Sequence, residues 1–149
     1  MFFNTILAFM IPWIVTILHL VKKDKWLIPV IGPFFSMITF IINEFGVYLG
    51  FWEVVTSVRP KTLAMLPFNV GVYPILACYL IYFVKKYHHP HAVILLMTLF
   101  TTCLEMIFVL IGKVQYGHGW NSLYTFLSYL IPYILVYLYY QYTKKLNGF

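Results

Sequence analysis

Long apolar runs alternate along the chain with short charged stretches. The first run covers 2–21 and stops at Lys22-Lys23-Asp24-Lys25. The second covers 26–45, and the third covers 63–84 and closes on Lys85-Lys86. A fourth covers 92–112, and a fifth covers 122–142 before Lys144-Lys145. Each has about the 20 apolar residues that a helix needs to cross a bilayer core. The pattern predicts an all-α protein, a polytopic transmembrane helix bundle of five spans forming one domain over 1–149. The glycine-punctuated stretch Phe45–Val55 stays open between an extension of the second helix, an interfacial segment and a re-entrant one.

The basic residues orient the bundle. Lys22, Lys23, Lys25, Lys85, Lys86, Lys144 and Lys145 fall at one end, against Arg59, Lys61 and Lys113 at the other. Cytoplasmic loops carry the Lys/Arg excess, so the N-terminus is expected outside and the C-terminus in the cytoplasm. Residues 1–20 show no basic n-region and no small-residue cleavage site, so a retained helix is expected rather than a signal peptide.

Composition supports the lipid-embedded reading. The 149 residues are 62% hydrophobic and 9% charged, where a soluble domain carries about 25% charge. The formal charge of +6 sits in clusters between apolar runs, which points to lipid headgroups and not to nucleic acid. Cys78 and Cys103 lie within apolar runs and read as packing residues. Pro12, Pro29, Pro33, Pro67, Pro74 and Pro132 fall inside spans, where neighbouring helices can satisfy the carbonyls they free.

The candidate chemistry lies in the polar residues that break the runs. Glu105 sits about 10 Å inside the outer end of the fourth helix at 1.5 Å rise per residue. Thr98, Thr101, Thr102 and Glu105 recur at i, i+3, i+4 and i+7, one stripe of a helix. Glu44 lies beside Asn43 near the outer end of the second helix, below Ser36 and Thr39. Asn69 and Tyr73 stand one turn apart in the third, and Asn121, Tyr124, Thr125 and Ser128 open the fifth. Under the expected topology all of these gather in the outer leaflet. One reading is an outward-opening polar pocket whose ionisable members are Glu44 and Glu105, because intramembrane carboxyls are costly unless they serve a site. The other reading is helix–helix glue.

The connecting loops add little more. His118 and Trp120, in Lys113-Val-Gln-Tyr-Gly-His-Gly-Trp-Asn121, would border the pocket or anchor the interface. Gly46 and Gly50 have the small-xxx-small spacing of close helix approach. His88, His89 and His91 read as a solvated loop and no metal site, since lysines flank them and no carboxylate is near. The tyrosines at 129, 133, 137 and 140 have helical spacing and read as packing. No nucleotide-binding or hydrolase fingerprint appears, and no cofactor is identified.

Several segments in order, Ala8-Phe-Met-Ile-Pro-Trp13, Lys22-Lys-Asp24, Gly50-Phe-Trp52, Leu66-Pro67, Gly71-Val-Tyr-Pro-Ile75, Thr101-Thr102 with Glu105, and Gly119-Trp-Asn121, carry a resemblance over nearly the whole chain. It resembles an uncharacterised family of small multi-pass membrane proteins of endospore-forming Gram-positive bacteria. That resemblance implies a bacterial plasma-membrane location and no particular activity. The Asn43–Trp52 stretch is also similar to membrane-embedded carotenoid cyclase-like proteins, which use intramembrane carboxylates on isoprenoids; their Pro-x-Glu-Glu type motif is absent here.

Three functions follow as expectations. The first is binding of a small molecule or lipid in the outward pocket, with transport if the chain forms a homo-oligomer. The second is a membrane enzyme acting on a lipid or isoprenoid, with Glu105 as acid and Glu44 or His118 as partner. The third is a structural or accessory subunit.

Overall fold

The structure, a computed structural model, describes residues 5–57 and 61–147. Arg59 lies outside the described residues, as do residues 2–4 of the first expected span. Five helices among the described residues are long and apolar enough to cross a membrane. Helix α1 spans Ile6–Asp24, α2 Leu27–Tyr48, α4 Pro90–Leu110 and α5 Ser122–Asn147. Between α2 and α4, α3 runs through Lys61–Pro67, Phe68–Val72 and Tyr73–Tyr87, its middle piece being one wider π-helical turn.

The boundaries follow local chemistry. Lys85 and Lys86 do not end α3, since both are good helix formers. The helix stops where His88 takes a left-handed conformation (φ 59°) and Pro90 opens α4 in its first turn. Helix α2 continues to Tyr48, because residues 45–48 keep the apolar helical face unbroken and Gly50 is the first residue able to reverse the chain.

Consecutive helices are antiparallel. The Cys78 thiol contacts the Leu27 carbonyl at 3.5 Å near one end of α2, and Asn43 meets Asn69 near the other. Helices α1 and α3 run parallel, joined in order by Trp13 to Val70, His19 to Tyr79 and Asp24 to Lys85. The basic last turns of α1, α3 and α5 therefore share one end, the lysine end. Helix α3 is central: 67% of its apolar stretch is buried, against 17% for α1 and 22% for α5. Around it Leu20, Ile31, Phe35, Leu80, Ile81, Tyr133 and Val136 form the core. Outward, α1 exposes Ile14, Ile17 and Leu18, α4 exposes Leu95, Leu96 and Phe100, and α5 exposes Ile131 and Leu138. The bundle is apolar on both its inside and its outside.

The prolines organise the contact between α1 and α3. A proline deprives the carbonyl four residues earlier of its helical donor. Pro12 and Pro74 each follow a π-helical turn by two residues, so the freed carbonyls belong to Ala8 and Val70. Val70 accepts the indole N–H of Trp13 at 3.1 Å. The Ala8 carbonyl lies against Gly71, where a Cβ would also come within 2.8 Å of the Phe9 Cα. Only glycine admits so close an approach of two backbones.

Opposite the lysine end lies an element that the helical pattern did not predict. Helices α2 and α4 finish in the same way. Gly50 and Gly112 both have φ 70°, and in each motif the glycine N–H and the next N–H reach back into the last turn. Each motif delivers the chain into a three-residue strand, β1 (Trp52–Val54) and β2 (Val114–Tyr116). The strands pair antiparallel, Trp52 opposite Tyr116, Glu53 opposite Gln115 and Val54 opposite Val114. Val55 to Lys113 and Gly117 to Phe51 extend the ladder at 2.9 Å each. Residues 45–55 are thus the end of α2, a glycine turn and a strand. Gly46 and Gly50 are not a helix-approach motif either: Gly46 makes room for the Trp52 indole, and Gly50 turns the chain.

Candidate functional site

Side chains alternate across a strand, so the ribbon has two faces. Glu53 and Gln115 point one way, and Glu53 pairs with Lys61 at the start of α3. Trp52, Val54, Val114 and Tyr116 point the other way, into the bundle, where Val54 packs on Ala64 and Met65. This inner face roofs a cavity of about 320 Å³, at the lower end of the range for small-molecule sites. Helix α2 supplies Phe35, Thr39, Ile42 and Asn43 to its walls, and α3 supplies Met65, Phe68, Val72, Tyr73 and Leu76. Thr101, Leu104, Glu105 and Phe108 come from α4, Ser128, Tyr129 and Pro132 from α5, and Leu7 and Ala8 from α1. All five helices and the ribbon thus line one space.

Glu105 is the only carboxylate in that lining. Its Oε1 accepts the Tyr116 hydroxyl at 2.7 Å, and its Oε2 accepts the Tyr129 hydroxyl. Tyr129 in turn lies 3.3 Å from the Tyr73 hydroxyl. On the other side Tyr116 meets Thr125 at 2.7 Å, and Thr125 accepts the Trp120 indole N–H at 2.8 Å. The carboxyl group therefore ties α3, α4, α5 and β2 together. Tyr116, which lies outside the helices, holds its phenolic proton well above the usual tyrosine range. Burial is the main cause, and the charge of Glu105 adds to it.

The residues singled out from sequence divide into three groups. Asn43, Tyr73, Thr101 and Glu105 line the cavity. Asn69 supports it from behind, its Oδ1 accepting the Asn43 amide at 2.5 Å, while its own Nδ2 is buried without a partner among the described residues. Thr102 is turned onto its own helix, donating to the Thr98 carbonyl at 2.8 Å. Thr98 and Thr101 bond back in the same way to Ile94 and Met97, and Thr101 also meets Tyr133 at 2.7 Å. The others stand apart from the cavity. Glu44 lies on an exposed face of α2, and His118 is exposed and bonded to the Leu49 carbonyl at 2.8 Å. Asn121 caps α5 by accepting the N–H groups of Leu123 and Tyr124 at 2.9 and 3.3 Å. Trp120 stacks between Phe51 and the exposed Tyr124, with its ring 4.7 Å from Trp52, and braces the roof rather than lining the cavity.

Sequence reasoning missed Tyr116 and the role of Tyr129. A signal for both was present. Val114-Gln-Tyr116 alternates like a strand directly after a helix-ending glycine. Thr125, Tyr129 and Tyr133 recur at i, i+4 and i+8, a polar stripe facing that of α4. Among the described residues no group of three or more His, Cys, Asp or Glu could hold a metal ion. No protein-family model, no curated protein and no solved structure matches this chain.

Proposed function

We propose that the chain is an integral membrane protein that binds a small, largely apolar molecule or lipid in the cavity roofed by β1 and β2. The observation that carries this reading is a space of about 320 Å³ with apolar walls and one carboxylate, set inside a bundle whose exterior is itself apolar. A bundle with so much exposed Leu, Ile and Phe is unsuited to water and suited to acyl chains. The lysine-rich helix ends favour the cytoplasmic side for that end, a reading in which the roof and the cavity lie toward the outer leaflet of the plasma membrane. Transport through so small a bundle would need a homo-oligomer, whereas binding needs one chain. The enzymatic reading draws less support, because neither Glu44 nor His118 lines the cavity beside Glu105.

Two experiments test the proposal. In a chain with Cys78 and Cys103 replaced by Ala, a cysteine at Gln115 should react with a membrane-impermeant maleimide on intact cells. A cysteine at Lys145 should react only after lysis, and the reverse pattern refutes the orientation. Native mass spectrometry of the wild-type protein, released gently from its membrane, should show a discrete bound mass that Glu105→Gln loses while remaining folded by circular dichroism. A bare wild-type chain refutes the binding role.

A further inference from the structure

The chemistry of the cavity says what kind of molecule it suits. The chain has four acidic residues, and the structure disposes of them differently. Asp24 pairs with Lys85 and Glu53 with Lys61, each at an end of the bundle, while Glu44 lies on an exposed face. Glu105 alone of the four faces an apolar cavity, and its partners there are tyrosine hydroxyls. The described lining contains no Lys, Arg or His. It does contain six aromatic rings, those of Phe35, Trp52, Phe68, Tyr73, Phe108 and Tyr129. A carboxyl group in a low-dielectric space, once ionised, strongly favours a positive group beside it, and ring faces attract cations further, most of all when water is excluded. An anion would meet repulsion from the ionised Glu105, and a neutral molecule without a hydrogen-bond donor would gain nothing from it.

We infer that the cavity is a site for a hydrophobic organic cation, an amine or quaternary ammonium, whose charged group lies toward Glu105 among the aromatic rings. This rests on the reading that the cavity binds a small molecule, and it adds the sign of that molecule's charge. The ligand's apolar body occupies the space beside Leu76, Leu104 and Phe108. A cavity of about 320 Å³ holds a single substituted ring with a methylated ammonium.

The test uses the full-length protein in phospholipid nanodiscs, with empty nanodiscs as the partition reference. Binding of benzyltrimethylammonium is compared with that of neopentylbenzene, its neutral carbon isostere, and of phenylacetate, by calorimetry or Trp fluorescence. The cation should bind at least about tenfold more tightly than the isostere, and phenylacetate should not bind. Glu105→Gln should remove the preference while leaving the isostere's affinity unchanged. Phe108→Leu, which leaves the carboxylate network intact, should weaken the cation several-fold more than the isostere. Equal binding of cation and isostere overturns the charge inference and leaves the binding role standing. Binding of none of the three overturns both.

Discussion

Thr125 is where the loop carrying Trp120 is joined to the carboxylate network, so Thr125→Val tests the joint with almost no change of shape. The residue is fully buried, accepts the Trp120 indole N–H at 2.8 Å and meets the Tyr116 hydroxyl at 2.7 Å. Tyr116 keeps Glu105 as an acceptor, so its own proton remains satisfied. Trp120 loses the acceptor for its donor. A buried polar group left without a partner costs about 1–3 kcal/mol, and the half-buried indole here belongs at the lower end. Polar contacts measured within membrane bundles average about 0.6 kcal/mol, with a maximum of about 1.7. Taking both bonds together, Thr125→Val should destabilise the roof by about 1–2 kcal/mol. Hydrogen exchange read by mass spectrometry locates that loss. Peptides covering 51–57 and 113–120 should exchange about 5- to 30-fold faster, because the ladder N–H groups of Val55 and Gly117 open more often. The middle of α4 should not change. Thr125→Ser keeps the oxygen and should retain most of the protection. Unchanged exchange in the valine variant, or serine behaving like valine, would refute the proposed joint.

Other consequences can be read out in the same way. Gly46→Ala puts a Cβ inside the Trp52 indole, so Trp52 must leave its seat, with red-shifted fluorescence and a loss of about 1–3 kcal/mol in thermal unfolding; an unshifted spectrum would show that the indole does not pack there. Trp13→Phe should cost about 1 kcal/mol by orphaning the Val70 carbonyl. In a Pro74→Ala background the new N–H can reach that carbonyl, so the same change should cost close to nothing; additive costs in the double-mutant cycle would contradict the assignment. The raised affinity of Tyr116 for its proton gives a pH dependence with a definite sign. Its stabilising contribution is complete below the ordinary tyrosine value of 10.0 and declines above it, as the unfolded chain loses the proton that the folded one keeps. Wild-type protein should therefore lose stability above pH 10.0 more steeply than Tyr116→Phe, and equal slopes would count against the buried phenol.

The helices were legible in sequence because each carries its own signal, a run of apolar residues with polar punctuation. The ribbon of β1 and β2 was not, because its two strands are only three residues long and lie some sixty positions apart. No local periodicity accumulates over three residues, and the pairing is set by where α2 and α4 deliver the chain. Gly50 and Gly112 were visible, but their meaning depends on a positive φ that spacing alone does not reveal. The polar stripe on α4 was legible as a face and not as a site. Thr98 and Thr102 use their hydroxyls on their own helix, while Thr101 and Glu105 carry the stripe into the cavity. Glue and pocket, posed as alternatives by the sequence, divide the same stripe between them. Glu44 resembles Glu105 in a linear reading, since both break an apolar run near its end. Which of them faces inward depends on how α2 is rotated against α3, where Asn43 takes the inward position by bonding Asn69.

Counting protons around Glu105 shows how the cavity and its roof are coupled. Trp120 can only donate, so Thr125 receives that N–H and has its own proton free for Tyr116. Tyr116 then donates to Oε1, and Tyr129 donates its single proton to Oε2, leaving Tyr73 to donate to the Tyr129 oxygen. In this arrangement every hydroxyl proton points toward the carboxyl group, which suits the ionised form. A proton added to Glu105 makes one oxygen a donor, and one arm must then reverse. Reversal on the Tyr129 arm passes the donor role on to Tyr73, whereas reversal on the Tyr116 arm brings two donors to the Thr125 oxygen, which has two lone pairs to receive them, and frees the Thr125 proton for another acceptor. In both cases the Trp120 indole keeps Thr125 as its acceptor. A cation beside Glu105 needs no reversal at all, since it meets the charge without claiming an acceptor from either arm. A positive ligand beside the ionised Glu105 therefore leaves the hydrogen bonds that hold the roof as they are.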